Sequence, residues 1–163
     1  MTPQPSSEHA KPARSGRILA IDPGEKRIGV AAADLRTRVA IPVTTIDAGA
    51  DPVEAVTRLA REQDAQELVV GLALSLSGAL GPQAQRAQAL ADALAGRLDI
   101  PVHTWDERLT SAEARHRLPQ TGRRSARPGA SARKRRPKGD LDAMAATIIL
   151  QAYLDSQRGP ASG

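Results

Sequence analysis

The stretch RILAIDPGEKRIGVAAAD, residues 17–34, holds two apolar runs separated by a short polar turn, and a single acid closes the first run. Residues 17–22 and 28–33 each have the length and apolar content of a β-strand, and the short turn between them allows an antiparallel hairpin. Asp22 ends the first strand, directly before a Pro-Gly pair. Asp at such a place is ordinary turn chemistry, so this stretch alone leaves open whether Asp22 is a turn residue or a functional carboxylate.

Strand and helix patterns alternate along the rest of the chain. This order predicts an α/β layered domain whose later strands, which are separated by helices, run parallel. Ligands of such sheets gather beyond the carboxyl ends of the strands. The predicted elements are a strand at 39–46, a helix with Asp51 as N-cap, a strand from Glu67, a helix from Pro82, a strand at 101–105, a helix with Thr110 as N-cap and Glu113 as its capping-box partner, and a last apolar helix from Gly139 that packs against the sheet.

Length and composition favour one domain in a reducing compartment. A chain of 163 residues can bury a core, and the absence of cysteine removes disulfides and thiolate metal sites. No apolar run approaches the length of a membrane span, which together with the lack of cysteine points to the cytoplasm. We expect a disordered leader at 1–16, a folded domain at 17–156 and a disordered tail at 157–163.

The basic charge of the chain is concentrated in residues 119–138. This segment has eight of the 23 Lys and Arg residues and none of the 18 Asp and Glu residues, which leaves 15 against 18, or −3, elsewhere. Its Pro, Gly, Ser and Arg content predicts a mobile basic loop suited to a polyphosphate, and a merely solvated charged loop is the alternative. With one Trp, one Tyr and no Phe, the chain favours backbone and shape contacts over base stacking.

Candidate functional acids follow predicted strands or begin the last helix. Asp22 ends the first strand, and Asp106 and Glu107 follow the last one. Side chains alternate along a strand, so only one of these two can face a shared site, and the spacing does not decide which. Asp142 lies near the start of the last helix, where an acid is also explained by the helix N-terminus.

Four blocks of sequence carry a resemblance to a known family. AIDPGEKRIGVAAAD, VVGLALSLSG, DERLTSAEA and KGDLDAMAATIILQAYLD together resemble the YqgF family, also called RuvX, of Holliday junction resolvases and pre-16S ribosomal RNA nucleases. The blocks stand in the family's order and cover most of residues 17–155. The resemblance implies a ribonuclease-H-like α/β fold with a mixed five-stranded sheet flanked by helices. It also implies an active site of Asp22, Glu107 and Asp142, and the choice of Glu107 comes from the family.

The implied chemistry is metal-dependent hydrolysis of phosphodiester bonds. Clustered carboxylates repel one another, and Mg²⁺ or Mn²⁺ would relieve that repulsion while Asp22, Glu107 and Asp142 act as metal ligands. Arg108 is a candidate phosphate or carboxylate partner. Ala73 and Ser77 depart from the family, which often has Pro and Asp in this loop. The residues expected to contact nucleic acid are Lys26, Arg27, Arg108, Arg123, Arg124, Arg127, Arg133, Lys134, Arg135 and Arg136.

Several functions fit this pattern. Processing of the 5′ end of pre-16S ribosomal RNA is the leading one, and cleavage of four-way DNA junctions is the alternative. A non-catalytic nucleic-acid-binding module is a third, which the intact acids oppose. The actin and sugar-kinase superfamily needs a second lobe, for which 163 residues leave no room. We expect a monomer or a homodimer, and a junction cutter would suit a dimer because its substrate is two-fold symmetric.

Overall fold

A computed structural model of the chain describes residues 16–49, 51–110 and 138–158, with only the backbone of residues 138 and 139. The leader, basic loop and tail expected at 1–16, 119–138 and 157–163 lie outside these ranges apart from the residues at their edges.

Five strands and three helices lie complete within the described residues, and a further helical segment begins at residue 107. The first three strands form an antiparallel meander, and β4 and β5 run parallel to β1, as the alternation of elements predicts. The spatial order of the sheet is β3-β2-β1-β4-β5. The elements are β1 (Arg17–Pro23), β2 (Arg27–Asp34), β3 (Ala40–Asp47), α1 (Pro52–Glu62), β4 (Ala65–Leu72), α2 (Pro82–Arg97), β5 (Val102–Asp106) and α3 (Lys138–Ser156).

The first two helices begin where their sequence signals place them. The Asp51 side chain accepts a hydrogen bond from the Glu54 backbone N–H at 3.0 Å, and Pro52 is the first helical residue of α1. Pro82 in the same way begins α2. Both prolines use the fixed φ that suits a first helical turn, where the missing N–H has no intrahelical partner. The Glu54 carboxylate accepts from Arg97 at 2.5 Å, which ties α1 to the end of α2.

The sheet has a hydrophobic core on each face. In β1, Leu19 and Ile21 face α1 and α2, whereas Ile18 and Ala20 face α3. This alternation is that of a strand buried on both sides. It places Asp22, the next residue in the second series, on the face that α3 covers.

Helix α3 packs across β1, β2 and β3, which confirms the prediction that the last helix packs against the sheet. Its apolar surface is not wholly covered, because Leu141 and Met144 near its start are exposed. No helix in the described part of the chain is long and apolar enough to cross a membrane.

The prediction that Thr110 caps a helix is wrong. Residues 107–110 are already helical, and the Asp106 side chain accepts from the Arg108 backbone N–H at 3.0 Å, as an N-cap does. The Thr110 side chain is buried and accepts instead from the Trp105 ring N–H at 2.8 Å. Asp106, and not Thr110, therefore caps this helix. Glu113, the predicted partner of Thr110, lies beyond the described residues.

Candidate active site

Asp22 stands at the carboxyl end of the central strand. It is half-buried and pairs with Gly29 of β2 in the antiparallel ladder. The parallel strands β4 and β5 end at the same edge of the sheet. The structure therefore puts this carboxylate where ligands of α/β sheets commonly lie.

Glu107, not Asp106, faces Asp22. Glu107 directly follows β5 and is the first residue of the helical segment at 107–110. The Glu107 and Asp22 side chains are within hydrogen-bonding contact. The geometry thus decides between the two acids that the spacing left open.

Asp142 approaches from α3 through a close backbone contact. A β-carbon on Gly29 would lie 1.9 Å from the Asp142 carbonyl oxygen, so the helix backbone occupies the space that any other side chain would fill. Because Gly29 lies opposite Asp22, this contact brings the Asp142 turn beside the Asp22–Glu107 pair. The Asp142 charge contributes to raising the pKa of Asp22.

Burial is the main cause that raises the pKa of both paired carboxyls. The pKa of Glu107 rises from 4.5 to about 7 because the group is desolvated and lies next to the Asp22 charge. Desolvation also raises the pKa of Asp22, and the hydrogen bond with Glu107 partly offsets that rise. The pair thus holds a proton, chiefly on Glu107, at pH values where an exposed pair would hold none.

Asp22 and Glu107 are in contact, and the Asp142 charge lies beside this pair. Within the ranges 16–49, 51–110 and 138–158, no three His, Asp or Glu side chains stand together in metal-ligand geometry. Of the three acids that the family resemblance implies, the structure thus places Asp22 and Glu107 in contact, with the Asp142 charge close enough to affect the pKa of Asp22.

Arg108 pairs with a carboxylate, one of the two kinds of partner expected for it. Its Nε donates to both Asp106 oxygens at 3.0 Å, and its Nη2 donates to Asp106 Oδ2 at 2.6 Å. These hydrogen bonds hold the pKa of Asp106 below its ordinary value. Sequence reasoning missed this function of Asp106, although an acid two residues before an arginine at a helix start is a recognisable signal.

The loop that departs from the family is attached to the same arginine. Arg108 Nη1 donates to the carbonyls of Ser75 and Leu76 at 3.4 and 3.3 Å. The loop turns tightly, since Gly78 donates to the Ser75 carbonyl at 2.8 Å and has a φ of +81°, which favours glycine. Arg108, which directly follows Glu107, is therefore hydrogen-bonded to the loop that contains Ala73 and Ser77.

The other predicted contact residues fall into two groups. Lys26, on the β1–β2 turn, and Arg27, the first residue of β2, are exposed at the same sheet edge as Asp22. With Thr45 and Asp47 they line an open cavity of about 620 Å³. The basic residues of the predicted loop, Arg123, Arg124, Arg127, Arg133, Lys134, Arg135 and Arg136, lie outside the described residues.

Solved structures with a similar fold include RuvC of Thermus thermophilus. One such structure gives a TM-score of 0.53 at 14% identity and covers 88% of this chain and 96% of that one. A second, described as T. thermophilus RuvC in complex with Holliday junction substrate, gives 0.51 with the same coverage. The mixed sheet and its flanking helices are the RNase H-like fold, as the resemblance implies.

Sequence relatives cover nearly the whole chain. A protein of Chloroflexus aggregans named "Putative pre-16S rRNA nuclease" is 44% identical over 146 residues, which is 88% of this chain and 96% of the relative. A Thermobifida fusca protein of the same name is 44% identical over 152 residues, or 89% and 91%. The family description "RuvX: Holliday junction resolvase" matches residues 16–156. The chain therefore belongs to the RuvX family.

Proposed function

We propose that this chain is a divalent-metal-dependent endonuclease that hydrolyses phosphodiester bonds in the 5′-end processing of pre-16S ribosomal RNA in the cytoplasm. The observation that carries the proposal is the contact between the half-buried Asp22 and Glu107 carboxyls, with Asp142 beside them, at the carboxyl edge of the sheet. A half-buried carboxylate pair with raised pKa values is typical of a functional site, since folding alone gains nothing from such repulsion.

The name of the relatives supports ribosomal RNA as the substrate. Two proteins that are 44% identical to this chain are named for pre-16S rRNA, and each aligns over nearly its whole length. The second candidate is cleavage of four-way DNA junctions, which the family description and the Holliday junction bound to the T. thermophilus protein favour. Both reactions use the same chemistry at the phosphodiester.

The donor set fits a hard divalent cation. Asp22, Glu107 and Asp142 offer only carboxylate oxygens, which Mg²⁺ and Mn²⁺ prefer, and the chain has no thiolate to compete. Desolvation and the neighbouring acidic side chains disfavour the charged form of Asp22 and Glu107, and a bound cation would offset both effects. We propose that these three residues hold Mg²⁺ or Mn²⁺. When bound, the metal would supply Lewis acidity and a more acidic water for attack on phosphorus.

Each side chain then has a task that its position suits. Asp22, on the central strand, could bind a cation together with either of the two other acids. Glu107 carries the proton of the pair and would have to give it up to act as a ligand, because a carboxyl binds a metal in its deprotonated form. Lys26 and Arg27, exposed at the same edge, bind phosphates that flank the scissile one. We expect water attack to leave a 3′-hydroxyl and a 5′-phosphate.

The test is cleavage of two substrates side by side, a pre-16S rRNA 5′ leader and a four-way DNA junction, with Mg²⁺ or Mn²⁺. Asp22→Asn keeps the shape of the side chain but removes the charge that holds a cation. Asp34→Asn is the matched control, because Asp34 ends β2 in an exposed position. We expect wild type and Asp34→Asn to cut the RNA and Asp22→Asn to cut neither substrate.

Preferential cutting of the junction would instead support the second candidate. Cleavage by Asp22→Asn at the wild-type rate would contradict the proposed site. If every protein bound nucleic acid and none cut it, the chain would be a binding module and the proposal would be wrong.

A further inference from the structure

Strand β4 lies between β1, which carries Asp22, and β5, which Glu107 directly follows, and its residue next to Asp22 is Gly71. Ile21 pairs with Val70, which puts Asp22 next to Gly71, and Gly71 pairs with Trp105 of β5. Neighbouring strands are about 4.8 Å apart, so Glu107 must extend across β4 to contact Asp22.

Gly71 belongs to the face of the sheet over which this contact forms. Val69, two residues earlier, packs in the core beneath α3, and Gly71 faces the same way. A β-carbon on Gly71 would lie 2.8 Å from Glu107 Oε1 and 2.8 Å from Ile149 Cδ1 of α3. Even the smallest side chain would thus come too close to the Glu107 carboxyl, which would have to shift.

Gly29 and Gly71 flank Asp22 on its two neighbouring strands, but their surroundings differ. A β-carbon on Gly29 meets the backbone of α3, which can yield only if the helix moves. A β-carbon on Gly71 meets the ends of two flexible side chains, Glu107 and Ile149, which can turn away at low cost. Gly29 is thus required by packing, whereas the effect of substituting Gly71 falls on the position of Glu107.

We propose that Gly71 is a positioning residue, whose missing side chain leaves the passage through which Glu107 reaches Asp22. It acts through Glu107 and touches no substrate. The link to metal binding rests on the proposed function, since it requires that Asp22 and Glu107 hold the cation. The link to the carboxylate contact itself rests only on the geometry of β1, β4 and β5.

The test uses Gly71→Ala together with Ile149→Val. Ile149→Val removes the Cδ1 atom that the new methyl group would meet, and so relieves the packing part of the conflict while the conflict with Glu107 remains. The single variant Ile149→Val is the matched control. We expect the double variant to unfold at nearly the same urea concentration as this control, and a crystal structure to show Glu107 turned away from Asp22.

Mn²⁺ titration by calorimetry links the contact to the metal. We expect the affinity of the double variant to fall about 10- to 100-fold below that of Ile149→Val, as for other residues that orient metal ligands. Cleavage should lose kcat with little change in KM, because Gly71 contacts no substrate.

Two results would overturn the inference. One is a crystal structure of the double variant in which Glu107 still contacts Asp22, and the other is a Mn²⁺ affinity equal to that of Ile149→Val. If wild type itself binds no Mn²⁺, the proposed function fails while the crystal structure still decides the role of Gly71.

Discussion

The Asp142 carbonyl oxygen lies 1.9 Å from the point where a β-carbon on Gly29 would stand. The nearest turn of α3 therefore rests on the bare backbone of β2, directly opposite Asp22 in the ladder. The backbone of α3 contacts the backbone of β2 here. Gly29 therefore determines both how close α3 lies to the sheet and where Asp142 is placed.

Gly29→Ala is expected to destabilise the fold, because α3 must move away from β2. Overpacking of this kind costs about 1–3 kcal/mol, to be measured as the free energy of unfolding in urea. Gly96→Ala is the matched control: Gly96 lies within α2 with open space around its position. That substitution should raise stability by about 0.5–1 kcal/mol. A Gly29→Ala protein as stable as wild type would show that α3 does not pack this closely.

Glu107→Gln should remove a pH dependence of stability. The folded pKa of Glu107, about 7, lies above its ordinary value of 4.5, so the native state binds more protons than the unfolded state between these pH values. Stability is thus fully present below about pH 4.5 and declines as pH rises through 7. At pH 8, in a chelating buffer, Glu107→Gln should be about 1–2 kcal/mol more stable than wild type, a figure that allows for solvent screening.

Glu62→Gln controls for the loss of one acid, since Glu62 is exposed at the end of α1. Urea unfolding at pH 5, 6, 7 and 8 gives the comparison. A wild-type profile that is flat or rises with pH over this range would be at odds with a half-buried, proton-holding pair.

Thr110→Val tests the contact that replaces the expected helix cap. The substitution leaves the Trp105 ring N–H without its partner, and an unpaired buried donor costs about 1–3 kcal/mol. Trp105 is the single Trp of the chain, so its fluorescence reports the change without labelling. Thr110→Ser keeps the hydroxyl and should behave like wild type. Equal stability of the Val and Ser variants would mean that the hydrogen bond contributes nothing.

Arg108→Ala should loosen the loop after β4. The Gly78 amide donates to the Ser75 carbonyl within this loop, and the Arg108 guanidinium holds the same carbonyl from outside. We expect faster hydrogen exchange at Gly78 and unchanged exchange in β1. Arg86→Ala, which breaks an exposed ion pair with Glu25, is the control. Unchanged hydrogen exchange at Gly78 would show that Arg108 does not stabilise this loop.

The periodic and strongly punctuated parts of the chain were predictable from sequence. Apolar runs bounded by turns gave the hairpin of β1 and β2, and Asp51-Pro52 gave the start of α1. The cap at Thr110 was wrong because two acceptors, Asp106 and Thr110, compete for neighbouring helix starts, and tertiary contact with Trp105 decides between them. Local signals do not contain that contact.

Strand ends and the start of the last helix were enough to single out the candidate acids, but the choice of Glu107 over Asp106 came only from the family resemblance. Alternation of side chains along β5 did not decide between Asp106 and Glu107. It predicts that the two side chains face opposite ways, but not which of them faces Asp22. The functions of Gly29 and Gly71 were not predictable, since the absence of a side chain matters only once the neighbouring strands and α3 are in place. The basic loop stays a prediction, because residues 119–137 lie outside the described structure.

Asp22, Glu107 and Asp142 must hold a divalent cation if the proposed function is right. Anomalous diffraction from crystals of the wild-type protein soaked in Mn²⁺ tests this, with crystals of Asp22→Asn as the reference. We expect an anomalous peak in contact with carboxylate oxygens of Asp22 and Glu107 in wild type, and none at this place in Asp22→Asn. Mn²⁺ bound only elsewhere, or bound in the same place without the Asp22 charge, would show that these acids are not the metal site.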